Sequence, residues 1–170
     1  MTKLRTLENP QKSIISIFLF LAASAIAISP LNMEYRAAGI LGMSYLAFST
    51  GGLSFAYLTA LLAPIIGLIG GDSQWLIMLP IVLSSLFLAI LGLEYSWRYA
   101  ALIISPLLFI SPQIVAHFLS KKELFFVELP WEPAENWIYL QLLTAIGSVL
   151  LIVYIDRLRE RHEAKHNSND

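Results

Sequence analysis

Residues 37–71 read AAGILGMSYLAFSTGGLSFAYLTALLAPIIGLIGG, 35 positions without a charged side chain. An α-helix crosses a hydrocarbon core of ~30 Å with about 20 apolar residues. This stretch is too long for one crossing and long enough for two. It breaks best at Thr50-Gly51-Gly52, because a glycine pair is the strongest local helix breaker it contains. Four more charge-free stretches, 13–33, 73–93, 99–120 and 136–155, each fit a single crossing. Six helices follow, with expected spans at about 13–31, 36–50, 53–70, 74–93, 98–119 and 136–156.

Composition agrees. Hydrophobic residues make up 57% of the 170-residue chain and charged residues 14%. Soluble domains carry roughly 45–50% and 25%. The expected fold is all-α and polytopic, a single integral membrane domain over residues 1–170. A net charge of −1 leaves no electrostatic footprint for nucleic acid. The absence of cysteine excludes disulfides, thiolate metal sites and cysteine nucleophiles.

Orientation follows from basic residues, which concentrate on the cytoplasmic side. Lys3, Arg5 and Lys12 precede the first span, and Arg157, Arg159, Arg161 and Lys165 follow the last. Six spans place both basic ends on one side, so both termini are expected in the cytoplasm. The loop over residues 121–135, which holds Glu123, Glu128, Glu132 and Glu135, then lies outside. The first apolar run reads as an uncleaved helix rather than a signal peptide, because it continues to Ser29-Pro30 and further spans follow. Trp75, Trp97, Trp131 and Trp137 sit at span ends, where indole rings favour the interface. Ser105-Pro106 and Ser111-Pro112 suggest a bent fifth helix.

Little points to catalysis. Ionisable groups at depth usually mark function, and none stands near the middle of a span. His117 reads as an interfacial histidine near Lys121 and Lys122. His117, His162 and His166 cannot assemble a metal cluster. Asp72 reads as a turn aspartate bonding its own backbone. Glu94 and Arg98 read as a local pair across a short cytoplasmic connection, and Glu132 with Glu135 as part of a solvated acidic loop. No metalloprotease, nucleophile-elbow or phosphate-cradling motif occurs. No catalytic residue, cofactor or metal is expected.

The positive feature is small residues four apart: Ala23 with Ala27, Ala38 with Gly42, Ala63 with Gly67, and Gly67 with Gly71. In lipid such pairs let helix backbones approach closely. Ala23, Ala27, Ala63, Gly67 and Gly71 are therefore expected at helix-packing or partner contacts. Other integral membrane proteins of a multi-subunit complex, and the bilayer itself, are the expected partners.

Several segments resemble those of one bacterial family. They are the turn with Pro30 and Arg36, the glycine-marked end Gly67-Leu68-Ile69-Gly70-Gly71-Asp72, and the join Tyr95-Ser96-Trp97-Arg98. The outer loop with Phe125-Phe126 and Pro130-Trp131-Glu132-Pro133, and the tail Asp156-Arg157-Leu158-Arg159, complete the set. In layout the chain resembles the rod-shape-determining membrane protein family, MreD. The family's third-helix aspartate is replaced here by Ala63-Pro64-Ile65-Ile66, with Asp72 later. The resemblance implies a non-catalytic scaffold of the peptidoglycan elongation machinery in a bacterial plasma membrane. The same layout is similar to substrate-binding subunits of energy-coupling-factor importers, whose first helix often docks through an Ala-xxx-Ala motif, here Ala23 and Ala27. That alternative needs polar side chains converging on an outer pocket, for which Gln113, His117, Asn136, Tyr139 and Gln141 are the candidates.

Overall fold

A computed structural model of the chain describes residues 10–96, 98–121 and 135–167. Within them lie six α-helices and no strand: α1 Pro10–Ile28, α2 Met33–Gly51, α3 Leu53–Ile66, α4 Ser73–Tyr95, α5 Arg98–Lys121 and α6 Glu135–Asn167. A 3-10 turn, Gly67–Gly70, extends α3. Four segments are long and apolar enough to cross a membrane: Leu53–Gly70, Ser73–Tyr95, Ala100–Ser120 and Tyr139–Leu158. The chain is an all-α integral membrane protein.

The helix limits have local causes. α1 stops before Ser29-Pro30, since the residue preceding a proline is pushed out of helical geometry. Its end at Ile28 falls three residues short of the expected 31. Gly52 alone separates α2 from α3, with φ at +84°. α4 starts on Asp72, whose carboxylate accepts from the backbone N–H groups of Gln74 at 3.0 Å and Trp75 at 3.4 Å. That is an N-cap, and it satisfies donors the first helical turn leaves open. α5 runs unbroken through Pro106 and Pro112. Pro112 cannot donate to Leu108 O, and the Ser111 hydroxyl donates to it instead at 2.9 Å. α6 continues well past the expected 156, as a helix of 33 residues. At 1.5 Å per residue it spans about 50 Å, more than a bilayer core needs.

The helices form two layers of three, α1-α2-α6 over α3-α4-α5, with α2 against α1, α3, α4 and α6. This position explains the composition of α2. Over its whole length it is the least apolar of the first five helices, and its opening turn carries Glu34, Tyr35 and Arg36. It also buries Ser44, Ser49 and Tyr45. Neighbouring helices cover most of it, so lipid does not dictate its side chains. α1, by contrast, turns Ile14, Ile17, Phe18 and Leu21 outward. Its apolar part, Lys12–Ile28, falls just short of a crossing by length.

Packing in lipid gains nothing from apolar burial as such, so close contact and hydrogen bonds hold the helices together. Ala23, Ala27, Ala56, Ala60 and Ala63 are all fully buried, on two helices that touch. A Cβ added at Gly67 would stand 3.1 Å from both Ala27 Cβ and Ala27 O. A Cβ at Gly92 would stand 2.9 Å from Ser105 Cα, which brings α4 and α5 equally close. Ser105 also donates to Ala89 O at 2.8 Å and pairs with the Tyr45 hydroxyl, tying α4, α5 and α2 at one point. Each such bond contributes about 0.6 kcal/mol in a membrane bundle.

Candidate functional site

Four chain segments meet at one end of the bundle: the end of α1, the start of α2, the 3-10 turn and the start of α4. This end lies opposite the start of α1 and the end of α6, and we call it the outer end. One turn into α2, Arg36 is 5% exposed and forms an ion pair with Asp72. A second guanidinium nitrogen donates to Ala27 O at 3.4 Å. The guanidinium carbon stands 4.7 Å from the centre of the Trp75 ring. Trp75 is fully buried, and its indole N–H donates to Pro64 O at 2.9 Å.

The arrangement is interlocked. Asp72 caps α4 and holds Arg36. Arg36 lies on Trp75, and Trp75 secures the end of α3. A buried guanidinium without a counter-charge is strongly unfavourable, so Arg36 needs Asp72. The Arg36 guanidinium holds the Asp72 carboxyl below its ordinary value of 3.8, helped by the Trp75 and Gln74 amides, against the opposing effect of burial.

Beside this pair lies an open recess of about 530 Å³. Its polar wall is Ser29, Asn32, Glu34, Arg36, Asp72 and Gln74. A smaller pocket is lined by Met33, Glu34, Ala37, Met78, Ile81, Val82 and Gln113. Met33 and Glu34 line both pockets. Gln113, 3% exposed, donates from Nε2 to Ser85 Oγ at 3.2 Å, and its Oε1 has no partner. On α6, Gln141 is fully buried with neither amide atom partnered. Among the described residues no group of three His, Asp or Glu side chains could hold a metal.

No known protein family, curated protein or solved structure matches this chain.

The expected site residues divide. Ala23, Ala27, Ala63 and Gly67 are buried inside the chain's own bundle. Ala23 and Ala27 leave no surface for a partner helix. Gly71 differs from the packing role expected of it: it is exposed, its φ is +71°, and nothing lies within 4 Å of an added Cβ. Asp72 does bond its own backbone, and it carries the ion pair as well. Trp75 stands at a span end yet is buried under Arg36, rather than resting in the interface. His117 is half-buried with its ring tilted against Phe118. Glu94 accepts from the Tyr57 hydroxyl at 3.0 Å. Trp97 and residues 122–134, with Glu123, Glu128, Trp131 and Glu132, lie outside the described residues, as do the side chains of Arg98, Glu135, Asn136 and Trp137. Tyr139 is exposed, away from the recess.

Sequence reasoning missed Arg36 and Glu34. Both stand just before residue 37, where the charge-free run starts, and so read as a polar turn. The available signal was Met33, whose apolar side chain precedes them and starts the helix one turn earlier.

Proposed function

We propose that the chain is a non-catalytic, solute-binding membrane subunit of a bacterial importer of the energy-coupling-factor type. One observation carries the reading: the polar recess at the outer end, built on a buried ion pair. Its volume lies within the ~300–1,000 Å³ of small-molecule sites. The polar side chains such a subunit needs come from the first two turns of the outer end, Ser29 to Arg36 and Asp72 to Gln74. The chain has no phosphate-cradling loop, so partner subunits in the plasma membrane would supply the energy.

A second reading has its own support. Pro30, Arg36 and the segment Gly67 to Asp72 carry the resemblance to the MreD family, and they meet at this same recess. In that reading the protein is a non-catalytic scaffold of the cell-shape and peptidoglycan machinery, and the recess receives a segment of a partner.

Thermal unfolding of the detergent-purified protein against a panel of small solutes separates the two. A ligand that binds only the folded state raises the midpoint as its concentration exceeds Kd. The importer reading expects one solute class to do so, and expects Gly70→Trp to abolish the effect. Gly70 borders the recess, and an added Cβ there meets nothing nearer than 3.5 Å. A flat panel, with cell-wall synthesis proteins co-purifying from native membranes and lost with Gly70→Trp, favours the scaffold and removes the importer reading.

A further inference from the structure

We propose that α6 is a gate. In a second state its outer half parts from α2 and α5, and water reaches Gln141. The inference stands apart from either reading of the recess.

The starting point is an unanswered amide. Gln141 lies six residues into α6, about 9 Å along its axis. It heads a buried stripe, Gln141, Ala145, Val149 and Ile152. Nine of the ten buried polar side chains hold at least one hydrogen bond. Gln141 holds none through either amide atom, and neither atom has surface open to water. An amide closed off without partners is costly, and in lipid nothing outside the bundle relieves it. The closed seam is therefore unfavourable at this one point. Three apolar members of the stripe follow toward the other end, so the cost is confined to the outer half.

The seam is also the easiest in the bundle to open. Among the described residues α6 touches only α2 and α5. Of its crossing segment 22% is buried, the lowest share of the four crossing segments, so little packing is lost when it moves. Each of the other five helices is tied to a neighbour by a side-chain hydrogen bond, such as Ser16 to Thr50, Trp75 to Pro64 O and Ser105 to Ala89 O. From Tyr139 to Ile155 no α6 side chain bonds another helix, and Thr144 turns back to Leu140 O. Steric locking is absent as well. A Cβ at Gly42 would meet Ser148 Oγ at 3.8 Å and Thr144 Cγ2 at 4.0 Å, which is ordinary contact. At Gly67 and Gly92 the corresponding backbone approaches are 3.1 and 2.9 Å. Polar Gln141, Thr144 and Ser148 thus lie along a seam that gives them no bonds across it and that water would serve.

The chain has no cysteine, so single thiols report on access. The full chain in nanodiscs is treated with methanethiosulfonate ethylammonium, which is soluble in water and not in lipid. Ser24→Cys is the reference, because Ser24 is 7% exposed near the outer end of α1. Gln141→Cys is expected to react about tenfold faster or more, although Gln141 is the more buried residue. Equal or slower reaction overturns the gate. A second measurement keeps Gln141 in place. Spin labels at Tyr139 and Leu76 report the outer separation of α6 and α4, and labels at Tyr154 and Tyr95 the inner one. All four residues are at least 58% exposed. Two distances are expected for the outer pair and one for the inner pair. Gln141→Leu should return the outer pair to one distance, since an apolar side chain continues the stripe. A single outer distance in the parent, or a second distance that survives Gln141→Leu, overturns the proposal.

Discussion

Two glycine-marked turns interrupt the charge-free stretch, and they do opposite things. The inner one, at Gly51-Gly52, is a bare reversal. Its surroundings are Ser16, Thr50 and Phe55, with a Ser16–Thr50 hydroxyl contact at 3.3 Å, and among the described residues no charged side chain bonds to it. The outer one, from Gly67 to Asp72, fits its glycine against the α1 backbone and then delivers a carboxylate to a buried arginine. Both are helix breaks to a sequence reader. What separates them is the partner each finds across the bundle. A turn becomes a site where the neighbouring element brings a charge that must be answered and leaves space beside it. At the inner turn α1 brings a serine. At the outer turn α2 brings Arg36.

The comparison breaks first at Gly67 and Gly51. A Cβ at Gly67 would stand 2.6 Å from Trp75 Nε1 and 3.1 Å from Ala27 O. One obstacle is backbone, and the other is an indole held by Arg36 and Pro64 O. Gly67→Ala is expected to cost about 3 kcal/mol, the upper end of ordinary overpacking. At Gly51 the Ser16 hydroxyl and the Phe55 ring can turn aside, but Ser16 Cβ at 2.9 Å is fixed to the α1 backbone, so α1 must shift a little. Replacing a helical glycine also gains about 0.5–1 kcal/mol in propensity. Gly51→Ala should therefore cost about 1–2 kcal/mol, less than Gly67→Ala. Denaturation midpoints in SDS titrations read both, and equal losses would end the claim that the outer turn is the tighter seam.

Charge gives the next contrast. Asp72→Ala leaves Arg36 buried without its partner. A fully buried pair broken in this way loses about 3–5 kcal/mol. Asp72 is 31% exposed, so about 2 kcal/mol is expected here. Thr50→Val, its counterpart at the inner turn, should cost about 0.5 kcal/mol. The pH dependence has a definite sign. The folded Asp72 carboxyl lies below its ordinary value of 3.8. Its contribution is complete above that value and is lost as pH falls through it toward the lowered folded one. The parent should thus lose stability between about pH 5 and pH 3 relative to Asp72→Asn, and rise relative to it on return to neutral. Parallel profiles for the two proteins would show that the pair adds nothing.

The six helices were legible because length and charge-free runs alone set them. The break at Gly51-Gly52 was legible because nothing else there stops a helix. The site was only half legible. Asp72 was visible as a capping residue after two glycines, but its partner lies 36 positions earlier, at the rim of a span. No local pattern joins Arg36 to Asp72, since the join depends on α2 lying between α1 and α4. Trp75 misled for a related reason. Aromatic residues at span ends usually face the headgroups, and only the buried guanidinium beside it explains why this one turns inward. The small-residue pairs announced close packing. They could not say that the chain itself would fill both sides of the seam.

The smallest expected effect separates the two turns by backbone alone. Gly52 has φ +84° and ψ −170°, whereas Gly71 has φ +71° and ψ +14°. Both have open space around an added Cβ, so sterics with neighbours play no part. The Gly71 angles lie in the left-handed helical region, which asparagine visits readily. The Gly52 angles lie in a region essentially confined to glycine, at a cost of about 1–3 kcal/mol for other residues. Gly71→Asn should then cost no more than about 0.5 kcal/mol, and Gly52→Asn about 1.5 kcal/mol. The order runs against the packing contrast at Gly51 and Gly67, because here the inner turn is the more demanding one. Midpoints from the same SDS titrations decide it. A larger loss at Gly71 would mean that the outer turn is strained along its whole length, and that the tight fit at Gly67 is part of that strain rather than a local contact.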